Sequence, residues 1–416
     1  MERLHSAVGA VVLLALAFAF CPAGLRRNVR WRGIASGLVL LVVFAALSLR
    51  PPLNGVFSWA SQAVNALLAF SNAGAAFVFG PLVTDTRIGF VFAFQVLPAV
   101  IFFAALMSAM YYVGAMQLVI RGAGRLLSRW LGTSGAESFS TAADIFVGQT
   151  EAPLVIKPYL STLTRSELMA CMTAGFATTA GGVLAAYVVM LRDLVPNIAG
   201  HLLACSVMCA PASLVIAKLM LPESETPSTR GEKPALDTGP RKPGGLIEAI
   251  TNGTGDGLRL AANVGAMLIV FLALTALVDG VLGWIGSAVF NTPMSLERVF
   301  SFVFWPLSWL LGVSPEDVPK VATLLGQKTA LNEFVAYTNM TQKLAQDPTW
   351  LSERSRVIAS YALCGFANFG SIGIQVGGYA SLAPERRGDL AALAPRAMLA
   401  GLLTTCLVAC VAGVLI

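Results

Sequence analysis

Long apolar stretches recur along this 416-residue chain, and short clusters of basic residues separate them. Hydrophobic residues make up 56% of the sequence and charged residues only 12%, about half the charged share of a soluble domain. The chain is therefore predicted to be an all-α polytopic membrane protein. Its net charge of +6 comes from clusters that mark membrane topology, so it does not indicate a nucleic-acid-binding surface.

Eight stretches are predicted to cross the membrane as helices. Basic residues from Arg26 to Arg32 follow the first stretch, the reverse of the charge order in a secretory signal, so the N-terminus is expected outside. Alternating crossings then place both termini on the outer side of the membrane. The eight stretches are 7–20, 34–49, 88–110, 167–190, 197–220, 258–283, 353–380 and 397–416.

Other segments are predicted to lie along the membrane surface or outside it. Residues 55–80 look too polar to span and favour an interfacial amphipathic helix, as does part of 286–312. Residues 221–245 are rich in Pro, Glu, Ser, Thr, Lys and Gly, which indicates a flexible cytoplasmic loop. Residues 117–132 form a further interfacial helix with three arginines on one face: Arg121, Arg125 and Arg129.

Two polar clusters interrupt the apolar sequence. The first is Gly148–Pro153, in which Gln149, Thr150 and Glu151 are consecutive, and the second is Asn332–Tyr337, which contains Glu333. A central acid costs roughly 2.5 to 3.5 kcal/mol on membrane insertion scales. Both clusters are therefore predicted to be binding sites. The alternative is that each glutamate only shapes its own segment through backbone hydrogen bonds.

The two clusters belong to an internal duplication. The phrase Gly175–Thr178 follows the first cluster, and Gly365–Asn368, which begins 190 positions later, follows the second. Paired interrupted segments are typical of a transporter's midplane site, although the short phrase can also recur by chance. We expect re-entrant hairpins at 135–163 and 315–345 that enter from opposite faces, as an inverted repeat demands.

The composition of the clusters limits the ligand. Neither cluster contains Arg or Lys, so a phosphate is not expected, whereas amides, hydroxyls and acids suit a polar neutral solute. Phe366 adds a flat apolar wall, which matches a sugar joined to a planar ring. Seven cysteines lie mostly in apolar runs, and the two histidines, His5 and His201, lie near segment ends. Close helix packing is favoured over a metal site or disulfides.

The polar clusters and the repeated phrases resemble those of a known family, the concentrative nucleoside transporters, in its bacterial sodium-coupled branch. The resemblance covers almost the whole chain and rests on GQTEAPL at 148–154, NEFVAY at 332–337 and CGFAN at 364–368. It implies a homotrimer in the lipid bilayer, with eight spanning helices and two opposed re-entrant hairpins per protomer. It also implies a scaffold and a transport domain that moves like an elevator.

The resemblance assigns roles to residues that match the family's motifs. Four residues would face the nucleobase of a uridine-like nucleoside: Gln149, Thr150, Glu151 and Val183. Three would bind ribose hydroxyls: Glu333, Asn368 and Ser371. The ring of Phe366 would pack against the nucleoside. Asn332 and Tyr337 are expected to be structural.

A sodium site is implied in the same way. Its residues would be Asp144, Val147, Thr178 and Thr179. Asp144 departs from the pattern, because the family's sodium-coupled members carry Asn there. A carboxylate keeps an oxygen for a hard cation but can also carry a proton, so proton coupling remains the alternative. Asp144 as a cap of the hairpin helix is the structural alternative.

The resulting domain plan has five parts. Scaffold helices at 1–132 precede a first repeat at 133–220, a cytoplasmic linker at 221–257, a scaffold helix with an interfacial segment at 258–312 and a second repeat at 313–416. Removing Glu223–Pro243 from the linker is expected to matter little. No nucleophile, metal triad or phosphate loop accompanies the glutamates, so a transporter is favoured over a membrane enzyme, and a channel is the third alternative.

Overall fold

The computed structural model describes residues 2–50, 55–85, 87, 91–230, 244–290, 292 and 294–416. All regular elements in these ranges are helices, without any strand, which confirms the predicted all-α class. The N-terminal helices are α1 (Glu2–Ala19), a 3-10 helix (Ala23–Asn28), α2 (Trp31–Leu49), α3 (Gly55–Phe79), α4 (Pro81–Thr84), α5 (Phe92–Gln95), α6 (Leu97–Tyr112) and α7 (Ala115–Leu131). The first three residues of the predicted span 88–110 lie outside the described residues.

Helix α7 has the two-faced character that its sequence predicts. Ile120 and Leu127 are buried on one side, and the helix ends at Gly132, whose φ of +66° favours glycine. The opposite side exposes all three predicted arginines: Arg121, Arg125 and Arg129.

The next segment is a helical hairpin followed by an interrupted helix. Ser134 and Thr164 each begin a helix with a complete capping box, which fixes where the hairpin helix and the following helix start. The elements are α8 (Gly135–Asp144), a 3-10 helix (Ala152–Thr162), α9 (Arg165–Ala177), α10 (Gly181–Leu191) and α11 (Ile198–Met220).

The second half repeats this arrangement after one very long helix. Helix α12 (Leu246–Phe290) has 45 residues, a length of about 68 Å at 1.5 Å per residue. A second hairpin and a second interrupted helix follow. The remaining elements are α13 (Leu296–Val303), α14 (Trp305–Leu310), a 3-10 turn (Pro315–Asp317), α15 (Val318–Ala330), α16 (Glu333–Gln346), α17 (Glu353–Leu363), α18 (Phe369–Leu382), a 3-10 turn (Pro384–Arg386) and α19 (Arg387–Leu415).

Two predictions about the segment after α11 are wrong: the extent of the linker predicted at 221–257, and the flexibility of the first residues in the loop predicted at 221–245. Helix α12 already begins at Leu246, so residues 246–257 are helix and not linker. At the other end, Glu223 accepts a hydrogen bond from the Thr164 hydroxyl (2.9 Å). Thr229 is buried, and its carbonyl and hydroxyl accept from the first amides of α8. Polar residues in this loop replace missing helix partners. Residues 231–243 of the predicted loop lie outside the described residues.

In the described part of the chain, eight helices are long and apolar enough to cross a membrane. The number agrees with the prediction, but the membership differs. The window Phe57–Phe79 qualifies with a mean hydropathy of 1.3, so calling 55–80 too polar to span was wrong as a statement about composition. The predicted span 353–380 does not qualify, because it is divided into the shorter α17 and α18.

Burial separates a central bundle from peripheral helices. In the windows Arg165–Leu191 and Ile198–Met220, 89% and 83% of residues are buried, against 11% in Leu246–Val289. A long apolar helix that is so little covered by its own chain must face lipid or another subunit. The interrupted helix α9–α10 therefore lies at the centre of the protomer, and α12 lies at its edge.

Candidate functional site

The interruptions in the two broken helices contact each other directly. Gly365, at the second break, has φ +84°, and its amide donates to the Thr179 hydroxyl at the first break (3.0 Å). A Cβ on Gly365 would lie 2.5 Å from the Ala177 carbonyl oxygen. Only glycine fits both the backbone conformation and this contact. The two phrases of the internal repeat thus meet in space.

The tip of the first hairpin lies against the first break. The Gly181 amide at the start of α10 donates to the Phe146 carbonyl (3.0 Å). Within the tip, the Glu151 amide donates to the Gly148 carbonyl (3.0 Å), and a Cβ on Gly148 would lie 2.3 Å from a carboxylate oxygen of Glu151. Glycine at 148 therefore leaves room for the glutamate side chain.

The second hairpin brings its glutamate to the second break. Glu333 is 3% exposed and accepts hydrogen bonds from the Tyr187 hydroxyl (3.0 Å) and the Asn368 side-chain amide (3.1 Å). The Asn368 side-chain oxygen in turn accepts from the Ser371 amide (2.8 Å) and caps α18. The side chains of Glu333 and Asn368 are thus fixed as one unit between hairpin and broken helix.

Sequence reasoning missed Tyr187. This residue lies on α10, four positions after the predicted site residue Val183, so both occupy one helix face. The Tyr187 ring also packs against the ring of Tyr337, with 4.5 Å between the ring centroids. The spacing of four residues from Val183 is the sequence feature that could have identified Tyr187 as a site residue. The structural roles predicted for Asn332 and Tyr337 agree with their contacts, since Asn332 caps α16 and the Tyr337 hydroxyl donates to the Ser360 carbonyl (2.7 Å).

The first polar cluster contains one buried oxygen without a partner and two further polar side chains. The side-chain oxygen of Gln149 is buried and has no hydrogen-bond partner there. Glu151 is exposed although protein atoms surround it closely, as expected of a side chain that lines a cleft. Thr150 is half-buried and lies beside Gly378 of α18, whose added Cβ would lie 3.1 Å from the Thr150 methyl carbon. These groups are available to a ligand.

The other predicted substrate residues lie on the broken helices that carry these contacts. Val183 and Ser371 are 2% and 3% exposed, and Phe366 is half-buried at the break before α18. The backbone amide of Asn368 donates to the Phe366 carbonyl (2.8 Å), so the chain makes a tight turn at this break.

Asp144 is the most unusual group in the described structure. It ends α8, is 1% exposed, and neither carboxylate oxygen has a hydrogen-bond partner among the described residues. A buried carboxylate without partners requires a cation or a proton. Glu151 lies close enough to repel it electrostatically. Because Asp144 is the last residue of the hairpin helix and its carboxylate accepts from no amide of the described residues, a capping role does not explain it.

The remaining residues of the predicted sodium site carry backbone carbonyls and two hydroxyls. Val147 has an apolar side chain, so only its carbonyl can bind a cation. The Thr178 hydroxyl donates back to Ala174 (2.8 Å), and the Thr179 hydroxyl accepts from Gly365 and lies 3.1 Å from the Cys364 sulfur. One carboxylate with carbonyl and hydroxyl oxygens is a donor set that suits a hard cation such as sodium.

Three family descriptions match most of the chain. They are "Na+ dependent nucleoside transporter N-terminus" over residues 8–82, "Nucleoside recognition" over 93–193 and "Na+ dependent nucleoside transporter C-terminus" over 201–413. The fold and the site define a helical membrane transporter with a duplicated core. More particularly, the chain belongs to the sodium-dependent nucleoside transporter family, whose descriptions state a dependence on Na+.

Individual relatives and solved structures agree with this assignment. An uncharacterized transporter of Haemophilus influenzae is 42% identical over 420 residues, which is all of this chain and 98% of that protein. Rat solute carrier family 28 member 3 is also 42% identical, but the chain spans only 59% of its length. The structure of CNTnw in an inward-facing substrate-bound state superposes with a TM-score of 0.92 at 40% identity, covering 100% of this chain and 98% of that one. A substituted CNTnw in an outward-facing state gives a TM-score of 0.91.

Proposed function

We propose that this chain is a secondary active symporter that imports nucleosides across a bacterial inner membrane, driven by a sodium gradient. The observation that carries the proposal is the unit formed by Glu333, Asn368 and Tyr187, which places a buried carboxylate at the meeting point of hairpin and broken helix. Family membership supplies the substrate class, since nucleosides are what the matching descriptions name. The buried acceptors suit ribose hydroxyls, which donate hydrogen bonds.

The two polar clusters divide the nucleoside between them in this proposal. Glu333, Asn368 and Ser371 bind the ribose, and Phe366 packs against the nucleoside. The first hairpin recognises the base through the unpartnered side-chain oxygen of Gln149, a hydroxyl and an acid, and an aliphatic side chain on α10 contacts the base beside them. These base-facing residues are Gln149, Thr150, Glu151 and Val183.

Movement in this proposal is of the elevator type. The central bundle with its two re-entrant hairpins carries the nucleoside, and peripheral helices hold a homotrimer in the bilayer. The exposed apolar surface of α12, where Ile269 and Leu277 are 73% and 63% exposed, supports a scaffold position against lipid or a second copy. The structures that superpose on this chain include inward-facing and outward-facing states of one transporter. Both termini lie in the periplasm in this scheme.

Sodium is assigned to the partnerless carboxylate of Asp144, with oxygens from Val147, Thr178 and Thr179. A second candidate is proton coupling at the same residue. One specific observation favours it: the Asp144 carboxylate is buried and has no partner among the described residues. A carboxylate can carry a proton, whereas the Asn found at this position in sodium-coupled members cannot. Uptake measured separately under a sodium gradient and a pH gradient distinguishes these two candidates.

The test of nucleoside transport is uptake of radiolabelled uridine into proteoliposomes by wild type, Glu333→Gln and Glu316→Gln. Glu316 is a matched control, because it is an exposed acid at the base of the same hairpin. Uptake should be lost only in Glu333→Gln, since the amide cannot accept from both Tyr187 and Asn368 while serving the ribose. Label recovered unchanged inside the vesicles supports a transporter. Conversion of the label to a new compound, or non-saturating flux without an ion gradient, contradicts it.

A further inference from the structure

Lys328 is buried at 0% exposure on α15, one helical turn before the tip of the second hairpin. Its ammonium donates three hydrogen bonds, to the carbonyls of Ala362 (2.8 Å) and Cys364 (2.8 Å) and to the Thr405 hydroxyl (3.0 Å). All three donors of the group are thus used. None of these partners is a carboxylate, so all three hydrogen bonds of the ammonium go to neutral dipoles.

The partners of Lys328 lie at the end of a half-helix. Ala362 and Cys364 belong to the last turn and the C-cap of α17, just before the break at Gly365. A helix C-terminus leaves carbonyls without intrahelical partners and carries a partial negative charge. Half-helix ends of this kind, together with unwound carbonyls, bind sodium in other transporter folds. Two carbonyls and one hydroxyl are ligands that a monovalent cation accepts.

The first repeat shows the opposite charge pattern. There Met172 stands 190 positions before Ala362 in the sequence but lies inside α9, and its carbonyl accepts from the neutral side-chain amide of Gln375 (3.0 Å). The first hairpin ends its inward helix with the unpartnered Asp144. The first hairpin thus carries a buried acid without a partner among the described residues, whereas the second carries a buried ammonium with three partners.

We propose that the Lys328 ammonium is a tethered cation, which occupies a monovalent-cation site formed by Ala362, Cys364 and Thr405 at the second helix break. This inference rests on the proposed function, because it explains the ion requirement of the same substrate site. With the second break permanently occupied, only the first repeat needs a mobile ion for each transport cycle. The charge also lies near enough to Glu333 to attract it, so it helps to hold the second polar cluster in place.

The test is a sodium titration of the unfolding temperature in detergent, with choline chloride balancing the ionic strength and no nucleoside present. Asp144→Ala removes the mobile-ion site and serves as background. Adding Lys328→Ala opens the second site, so sodium should raise the unfolding temperature of Asp144→Ala/Lys328→Ala by several degrees, because a ligand that binds only the folded state stabilises it. Asp144→Ala/Lys328→Met should show no such rise, since methionine fills the space without a charge.

A sodium-dependent rise in Asp144→Ala/Lys328→Ala no larger than in Asp144→Ala overturns the proposal. If the double variant does not fold, Thr405→Val provides the decision, because it removes one acceptor of the ammonium and should lower the unfolding temperature. Its control is Thr404→Val, whose hydroxyl donates only within its own helix to Ala400 (2.7 Å). Equal unfolding temperatures for the two valine variants also overturn the proposal.

Failure of the proposed function is visible separately. If purified wild type binds no uridine in sodium, nucleoside transport is contradicted, whereas the titration of unfolding temperature contains no nucleoside and still reports on Lys328. If wild type transports uridine, the uptake of Lys328→Ala should depend more steeply on sodium concentration than wild-type uptake, because a second mobile ion is required. An unchanged sodium dependence in an active Lys328→Ala contradicts the tethered cation.

Discussion

Replacing Tyr187 with Phe removes one hydroxyl from the centre of the site and leaves the ring in place. That hydroxyl donates to Glu333 at 3.0 Å, and the only other side chain shown donating to this carboxylate is Asn368. A hydrogen bond to a charged group contributes about 1.5 to 3 kcal/mol. Without it, Glu333 is less firmly oriented toward the ribose.

The expected effect is a loss of about tenfold or more in nucleoside affinity, since about 1.4 kcal/mol corresponds to a factor of ten. Uridine affinity is measured by calorimetry on purified protein and compared with the KM of uptake in proteoliposomes. The neighbouring Tyr337 gives a matched control, because it is equally buried and its hydroxyl donates to the Ser360 carbonyl instead of a site residue. Tyr337→Phe should lower the unfolding temperature with little change in affinity. A Tyr187→Phe variant with wild-type affinity and KM would refute the role assigned to Glu333.

Two further predictions concern stability. Gly365→Ala should lower the unfolding temperature markedly, because a Cβ would lie 2.5 Å from the Ala177 carbonyl oxygen and the left-handed conformation costs about 1–3 kcal/mol for other residues. The control is Gly373→Ala, where an added Cβ meets nothing within 4 Å. Equal unfolding temperatures for the two variants would contradict the contact between the helix breaks. Thr229→Val should destabilise the start of α8, since the Thr229 hydroxyl accepts from an α8 amide (3.0 Å) and such bonds contribute about 0.5–1.5 kcal/mol. Thermal unfolding beside the exposed Thr226→Val measures this, and identical curves would mean that the loop is not anchored.

The sequence predicts the polar half of the site well, because insertion into a membrane makes every buried acid and amide conspicuous. Glu333 was predicted on that ground and Asn368 from the family resemblance, and the structure joins them by a hydrogen bond. Both lie beside breaks that glycine marks in the sequence. The helical class and the approximate positions of both hairpins follow from the same contrast between apolar runs and polar interruptions.

Residues one helical turn away from the motifs were missed. Tyr187 reads as an ordinary apolar helix residue, and Lys328 lies outside both polar clusters, so neither was selected as a site residue. Only the folded chain shows that helix geometry brings the Lys328 ammonium to carbonyls 34 and 36 positions later. Tertiary partners of this kind leave no local pattern.

The loop after α11 was misread for a different physical reason. Its polar and proline-rich composition is typical of disorder, but composition does not reveal which helix ends need partners. Thr229 and Glu223 satisfy amide and hydroxyl groups at the starts of α8 and α9. Burial and hydrogen bonding of the backbone, and not polarity, decide whether such a segment is dispensable.

The most direct test of the central claim is uridine uptake into proteoliposomes under an imposed sodium gradient and, separately, under an imposed pH gradient. Wild type is compared with Asp144→Asn, which keeps one side-chain oxygen for a cation but cannot carry a proton. We predict sodium-driven uptake in wild type that persists in Asp144→Asn. Uptake driven by the pH gradient in wild type and lost in Asp144→Asn would contradict sodium coupling and make Asp144 the proton carrier.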